Sequence, residues 1–158
     1  MAGAVRVDIT PPPGLGLGGS GPEGRRSTGY RTRLYAGASS LWRTSNCRAS
    51  SVSWTAIKAP VGSFIGSIAV AQVNADVVWV GHNDGRVYRT ANATASSPSW
   101  LAVDDNAATD PLPNRYVTRL AIDPADHQVV WLTFGGFASG NVRVSRDGGA
   151  SWADASGS

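Results

Sequence analysis

The sequence is poor in the residues that build covalent cross-links and metal centres. Among 158 residues it has one cysteine, Cys47, so no disulfide can form within the chain. Its two histidines, His82 and His127, are not clustered with carboxylates, and we expect neither a metal site nor a cofactor. The sequence also lacks the Gly-x-Ser-x-Gly elbow that presents a nucleophilic serine in many hydrolases.

Charge and long apolar runs are scarce as well. Charged residues make up 16% of the chain. No run approaches the roughly 18 apolar residues of a transmembrane helix, so we expect no membrane span. The net charge of +3 is uneven, because residues 1–50 hold seven arginines against Asp8 and Glu23. Only Tyr30 and Tyr35 flank this basic segment, which disfavours nucleic acid as a partner because stacking aromatics are too few.

Residues 1–33 are predicted to form a strand followed by a loop rich in glycine, proline and arginine. Val5–Thr10 alternates with the period of a half-buried strand. The three prolines that follow end the strand because proline cannot donate to a sheet ladder. No charged segment followed by an apolar run marks a signal peptide after Met1.

The dominant pattern in the rest of the chain is an internal repeat of short apolar segments and polar turns. Residues 65–80 align without gaps with residues 117–132, and both end in Val-Val-Trp followed by an aliphatic residue. Trp79 and Trp131, at equivalent positions, are expected to pack between repeat units. Further matched pairs are Gly85–Thr90 with Gly140–Ser145 and Trp100 with Trp152. Such a repeat indicates stacked units of one architecture.

Four short strands per unit predict an all-β fold of propeller-type blades. We divide residues 34–158 into a partial blade over 34–57 and blades over 64–103 and 116–158. The two full blades are predicted to open with strands over Phe64–Val70 and Tyr116–Ile122, and to end with strands over Ser99–Val103 and around Ser151–Ala155. The partial blade lacks its innermost strand, which the N-terminal strand could supply. About three blades do not close a propeller. We therefore expect a homo-oligomer or a part of a longer propeller.

The last unit contains the run Ser-x-Asp-x-Gly-x-Ser-Trp over residues 145–152. Asp147 can accept hydrogen bonds from N–H groups of the turn, and Gly149 permits a positive φ. The run resembles the Asp box of BNR-type repeats in sialidase, sortilin and xyloglucan-hydrolase propellers, with threonine replaced by Ser151. The resemblance covers about residues 34–158. It implies a structural role, not a catalytic one, for Ser145, Asp147, Gly149 and Trp152.

Two further copies of this turn are degenerate. Asn46 and Asn92 stand where Asp147 stands in the last unit. Each is followed by a longer connection before Trp54 or Trp100. Degenerate copies are common in such repeats, and they do not change the predicted fold.

The N-terminal segment carries a second resemblance. Within residues 2–36, the runs Asp-Ile-Thr-Pro-Pro-Pro-Gly, Arg-Ser-Thr-Gly and Leu-Tyr-Ala resemble the opening of neutral ceramidase-type hydrolases. That family's zinc-binding histidines and nucleophile lie beyond the matched stretch. Because His82 and His127 both belong to propeller units, the resemblance does not bring ceramidase chemistry to this chain.

We interpret the chain as a non-catalytic propeller module that binds a carbohydrate or a protein partner, because loops on one face of a scaffold commonly carry function. The candidate ligand-binding residues are His82, Asn83, Asp84, Arg115, Tyr116, Phe134 and Phe137. Both histidines are expected in exposed turns. The alternative is a hydrolase, either a glycosidase-like propeller fragment or an esterase or amidase related to the N-terminal resemblance. The propeller resemblance implies an extracellular or periplasmic location.

Overall fold

The computed structural model describes residues 34–103 and 112–157, and this part of the chain is all-β, as predicted. It forms three antiparallel sheets, which we call blades 1, 2 and 3 in chain order. No helix within these residues is long and apolar enough to cross a bilayer. The predictions about residues 1–33, including the strand at Val5–Thr10 and the ceramidase-like opening, lie outside the described residues.

Each blade is a meander in which every strand pairs with the next one along the chain. Blade 1 contains β1 (Leu34–Gly37), β2 (Leu41–Thr44) and β3 (Thr55–Lys58). Blade 2 contains β4 (Ile65–Val70), β5 (Val78–His82), β6 (Val87–Thr90) and β7 (Leu101–Ala102). Blade 3 contains β8 (Val117–Ile122), β9 (Val130–Phe134), β10 (Val142–Ser145) and β11 (Ala153–Asp154).

The internal repeat is visible in the register of the strands. In both β4 and β8 the pairing shifts by one residue near the start, at Gly66 and at its equivalent Thr118. The last strands β7 and β11 are shorter than predicted. The sequence predicts Ser99 and Ser151 within these strands, but both residues hydrogen-bond back into the preceding turn.

Blade 2 is covered on both faces, as the burial of its second strand shows. Every residue of β5 is buried, so the alternation expected of a half-exposed strand is absent. Val78 and Val80 face a core shared with blade 1. Trp79 faces the other way into a core shared with blade 3, together with Val130 and other apolar side chains. The blades are therefore held together by two apolar junctions.

In blades 2 and 3, the tryptophan directly before the final strand packs against the preceding blade. Trp152 of blade 3 meets Trp79 edge-on, with ring centroids 6.0 Å apart and planes at 90°. This contact confirms that Trp79 packs between blades, and such pairs contribute about 0.5–1.5 kcal/mol beyond burial. Trp100 of blade 2 donates from Nε1 to the Ile57 carbonyl of blade 1 at 2.7 Å.

An arginine supports each junction from the preceding blade. Arg43 of blade 1 donates to the carbonyl of Ala95 at 3.2 Å and to that of Ala93 in blade 2. Arg89 of blade 2 donates to the Gly148 carbonyl of blade 3 in the same manner. These bonds fix the turns that carry the seated tryptophans.

The turn from Ser145 to Ser151 is closed by its aspartate. The Asp147 carboxylate accepts hydrogen bonds from the Ser145 hydroxyl at 2.7 Å, from the Ser151 N–H at 2.9 Å and from the Ser151 hydroxyl at 2.5 Å. These bonds, led by that from the Ser151 side chain, lower the pKa of Asp147 to about 2. Gly149, with φ of +93°, brings the chain past Trp79.

The two degenerate copies close in the same way. Asn92 Oδ1 accepts from the Thr90 hydroxyl at 2.8 Å and from the Ser99 N–H at 3.0 Å. The same two distances recur where Asn46 accepts from the hydroxyl of Thr44 and the N–H of Ser53. An asparagine oxygen therefore does the geometric work of the aspartate, although the loop before its serine is longer.

Replacing Gly149 by alanine is expected to destabilise the fold by about 2–4 kcal/mol. The new Cβ would lie 2.6 Å from Trp79 Cη2, in a backbone conformation that disfavours side chains. Gly62→Ala is the control, because φ there is +83° but no atom lies within 4 Å of the added Cβ, and we expect a loss of about 1 kcal/mol. Equal losses in urea unfolding would show that Trp79 moves aside at little cost.

Asp147→Asn is expected to lower stability by about 1 kcal/mol at pH 7, because it replaces a charged hydrogen-bond acceptor by a neutral one. The loss is small because solvent screens the charge of this exposed residue. Since folding lowers this pKa from 3.8 to about 2, the carboxylate's contribution is complete above pH 4 and disappears as pH falls toward 2. Urea midpoints of both proteins should therefore converge over that interval. A difference that stays constant with pH would refute the role of the charge.

Candidate functional site

The turns at one rim of the blades bring most of the predicted binding residues together. We call this the loop rim, formed by residues 59–64, 83–86, 113–116 and 135–141. Backbone hydrogen bonds connect its segments: Asn83 N–H donates to the Phe64 carbonyl at 2.9 Å, and Gly135 N–H donates to the Tyr116 carbonyl at 2.8 Å. The turns closed by Asn46, Asn92 and Asp147 lie at the opposite rim.

Gly66 lets side chains from two blades approach each other at the loop rim. A Cβ on Gly66 would lie 2.7 Å from the Tyr116 ring and 3.1 Å from Asn83 Oδ1. Both groups therefore lie over the bare backbone at the start of β4. Tyr116 keeps 44% of its surface exposed and Asn83 is exposed as well, so the two form one accessible patch.

Arg115 holds the loop between β9 and β10. Its guanidinium donates to Asn141 Oδ1 at 2.8 Å and to the Ser139 carbonyl at 3.0 Å. Phe137 lies in the middle of this loop, with its side chain fully exposed. The arrangement gives an aromatic side chain in solvent on a loop whose base is fixed by hydrogen bonds.

Two of the predicted binding residues are not at the surface. His82 is fully buried at the end of β5, where its N–H donates to the Arg86 carbonyl at 2.9 Å, so the expectation of an exposed turn is wrong. Phe134 is 5% exposed and packs in the core between blades 2 and 3, because β9 extends through it. His127 is half-buried between β8 and β9, at the rim opposite to His82.

A buried cluster of ionisable and aromatic side chains lies beneath the loop rim. Lys58, the sole lysine of the sequence, places its Nζ 3.9 Å above the Tyr88 ring. The His82 ring meets Tyr88 edge-on, with centroids 5.5 Å apart. Neither Lys58 Nζ nor His82 Nε2 has a hydrogen-bond partner among the described residues. The aromatic face is thus the main favourable contact of the ammonium.

Burial sets the protonation of this cluster. Desolvation, assisted by the charge of Arg86, lowers the pKa of Lys58 to about 8. Desolvation, assisted by Lys58, lowers the pKa of His82 to about 4. His82 is therefore neutral at pH 7, and its Nδ1, 3.2 Å from the Ser63 carbonyl, carries the proton. With Lys58 at 5% exposure, the cluster supports the rim from below and does not face a ligand.

Asp84 and Arg86 form an exposed ion pair above the cluster. Arg86 Nε donates to Asp84 Oδ2 at 2.7 Å, and its Nη2 reaches the Val61 carbonyl at 2.6 Å. Burial has the largest single effect on the pKa of Asp84 and raises it, but the hydrogen bonds and the charge of Arg86 together outweigh it, and the net shift is downward. Exposed pairs contribute little stability, so the main effect of this one is to orient the carboxylate.

Sequence reasoning missed Phe64, Lys58 and Arg86. The sequence predicts Phe64 in the first strand of its blade, but β4 begins one residue later and leaves Phe64 at the rim, 64% exposed. Lys58 and Arg86 lie at strand ends, and no spacing in the sequence shows that they meet His82. Among residues 34–103 and 112–157, no group of three or more His, Cys, Asp or Glu side chains could hold a metal ion.

Comparison with known proteins supports the propeller-like fold. No protein-family model and no curated protein matches the chain. Among solved structures, the chain is similar to a GH74 xyloglucanase from Xanthomonas campestris, with a TM-score of 0.51 and 20% identity. The match covers 75% of this chain but 19% of that enzyme, so this chain spans about a fifth of its length. At this identity the similarity establishes the fold alone.

Replacing Lys58 by methionine is expected to stabilise the protein by about 1–2 kcal/mol at pH 7, because removing the buried charge outweighs the loss of its contact with the Tyr88 ring. Since folding lowers this pKa from 10.5 to about 8, the buried charge destabilises the fold below pH 8, and this cost fades as pH rises to 10.5. Urea unfolding at pH 7 and pH 10 should show the gain shrinking at the higher pH. A loss of stability at pH 7 would mean that the ammonium is well solvated or paired.

Proposed function

We propose that this chain is a propeller module that binds a carbohydrate through the loop rim without catalysing its cleavage. The observation that carries the proposal is the row of exposed aromatic side chains at this rim, Phe64, Tyr116 and Phe137. Exposed apolar groups gathered at one edge of a scaffold mark an interaction surface. Sugar rings present C–H faces to aromatic rings, and their hydroxyls suit the neighbouring Asn83 and Asp84.

The scarcity of carboxylates in the described loop rim favours binding over hydrolysis. Glycosidases use two carboxyl groups on either side of the scissile bond, about 5–9.5 Å apart. Among the described residues of the loop rim, Asp84 is the one carboxylate, and it is paired with Arg86. A general acid also requires a raised pKa, whereas that of Asp84 is lowered.

Two finer points belong to the same proposal. The turns closed by Asn46, Asn92 and Asp147 act as Asp boxes, one complete and two with asparagine, whose role is to hold the blades together. Because the similar solved structure is a xyloglucanase, xyloglucan is the first ligand to test. Such a polysaccharide lies outside cells, and we therefore place this module in the extracellular or periplasmic space.

Phe137→Ala and Tyr116→Ala are each expected to weaken binding of xyloglucan oligosaccharides about tenfold, the equivalent of about 1.4 kcal/mol. Calorimetry and affinity electrophoresis measure the change. Val73→Ala is the matched control, because Val73 is apolar and 56% exposed but lies in the turn between β4 and β5, away from the loop rim.

Two results would contradict the proposal. Binding that survives both rim substitutions would place the ligand elsewhere, and absence of binding across a panel of β-glucans would leave a protein as the partner. Release of reducing ends by the wild-type protein, lost in Asp84→Asn, would instead support the hydrolase.

A further inference from the structure

The two ends of the blade stack expose the two halves of a junction that this chain already forms twice. We call the surface of blade 1 that points away from blade 2 the leading face. We call the surface of blade 3 that points away from blade 2 the trailing face. Each internal junction joins one trailing face to one leading face, through a tryptophan seated on the preceding blade.

Register identifies the residues of the trailing face. Trp79 pairs with Arg89, and at the equivalent positions Trp131 pairs with Val144. Trp79 is fully buried under blade 3, whereas Trp131 is only half-buried. Ala69 is 9% exposed, but its equivalent Ala121 is exposed. The trailing face of blade 3 therefore corresponds to the apolar surface that blade 2 buries against blade 3, but here that surface is left uncovered.

Exposure identifies the leading face by the same comparison. Three tryptophans follow the three equivalent turns: Trp152 is 5% exposed, Trp100 is half-buried and Trp54 is 39% exposed. Trp42, on the same blade as Trp54, is 43% exposed. Blade 2 covers Trp152, but among the described residues no blade covers Trp54 in the same way.

We propose that two copies of this chain associate head to tail, with the leading face of one copy on the trailing face of the other. The occupant is a second copy because each face fits the other half of the same junction, and this chain carries both halves. Two such contacts related by a two-fold axis close a ring of six blades, within the range of four to eight that propellers use. Closure also covers both exposed apolar sheet faces.

One difference sets the strength of this contact. Arg43 and Arg89 each donate to a turn carbonyl across an internal junction, but Val144 stands at the equivalent position of blade 3. The junction between copies therefore lacks that bond. We expect association that depends on protein concentration, unlike the fixed internal junctions.

Sedimentation velocity of the full chain over a range of concentrations tests the proposal. The wild type should reach about twice the monomer mass. Trp54→Asp and Trp131→Asp should each reduce the observed mass to that of the monomer, because each substitution disrupts one side of both junctions between the copies. Val73→Asp, at an exposed position outside both faces, should keep the wild-type mass. If Trp131→Asp unfolds, Ala121→Arg disrupts the same face at an exposed position.

Mixing the two variants separates this arrangement from other dimers. The Trp131 variant retains the leading face and the Trp54 variant retains the trailing face, so an equal mixture forms one intact junction and recovers a dimer. A dimer that joins like faces would be broken by one variant alone. That result would overturn the proposal, as would a wild type that stays monomeric at every concentration.

Discussion

The structure depends on the seating of an aromatic side chain from one blade against the next. Trp152 meets Trp79 edge-on across one junction, and Trp100 bonds the Ile57 carbonyl across the other. A single repeat unit cannot bury its apolar faces alone, and stacking against its neighbours supplies the core. The junctions supply that burial on both faces of blade 2, which is why every residue of β5 is inaccessible.

The turns at the two rims divide the work of the fold. At one rim, Asp147 and the two equivalent asparagines close the turns that position the seated tryptophans. At the loop rim the hydrogen bonds hold loops instead, and Arg115 leaves Phe137 in solvent. Structural polar groups thus close the turns of one rim, whereas the other rim holds the exposed side chain of Phe137.

Prediction from sequence succeeded where the signal was local and periodic. The repeat of short apolar segments predicted the all-β class, and Trp79 was placed between blades because it recurs with its flanking valines. Prediction failed at strand ends. The sequence predicts His82 in an exposed turn, but hydrogen bonding extends β5 through it and burial follows. Phe134, a predicted binding residue, ends β9 and is buried in the core between blades 2 and 3. Phe64 shows the reverse error, because its strand starts one residue later than its apolar character indicated.

The sequence by itself determined the repeat, the strand type and the chemistry of the turn at Asp147, since these depend on residues close together in the chain. Only the tertiary structure decided which side chains share the loop rim and which pKa values shift. Lys58 and His82 are far apart in sequence and meet over Tyr88 because two blades pack. Burial of charge is a property of that packing, and no local pattern of residues encodes it.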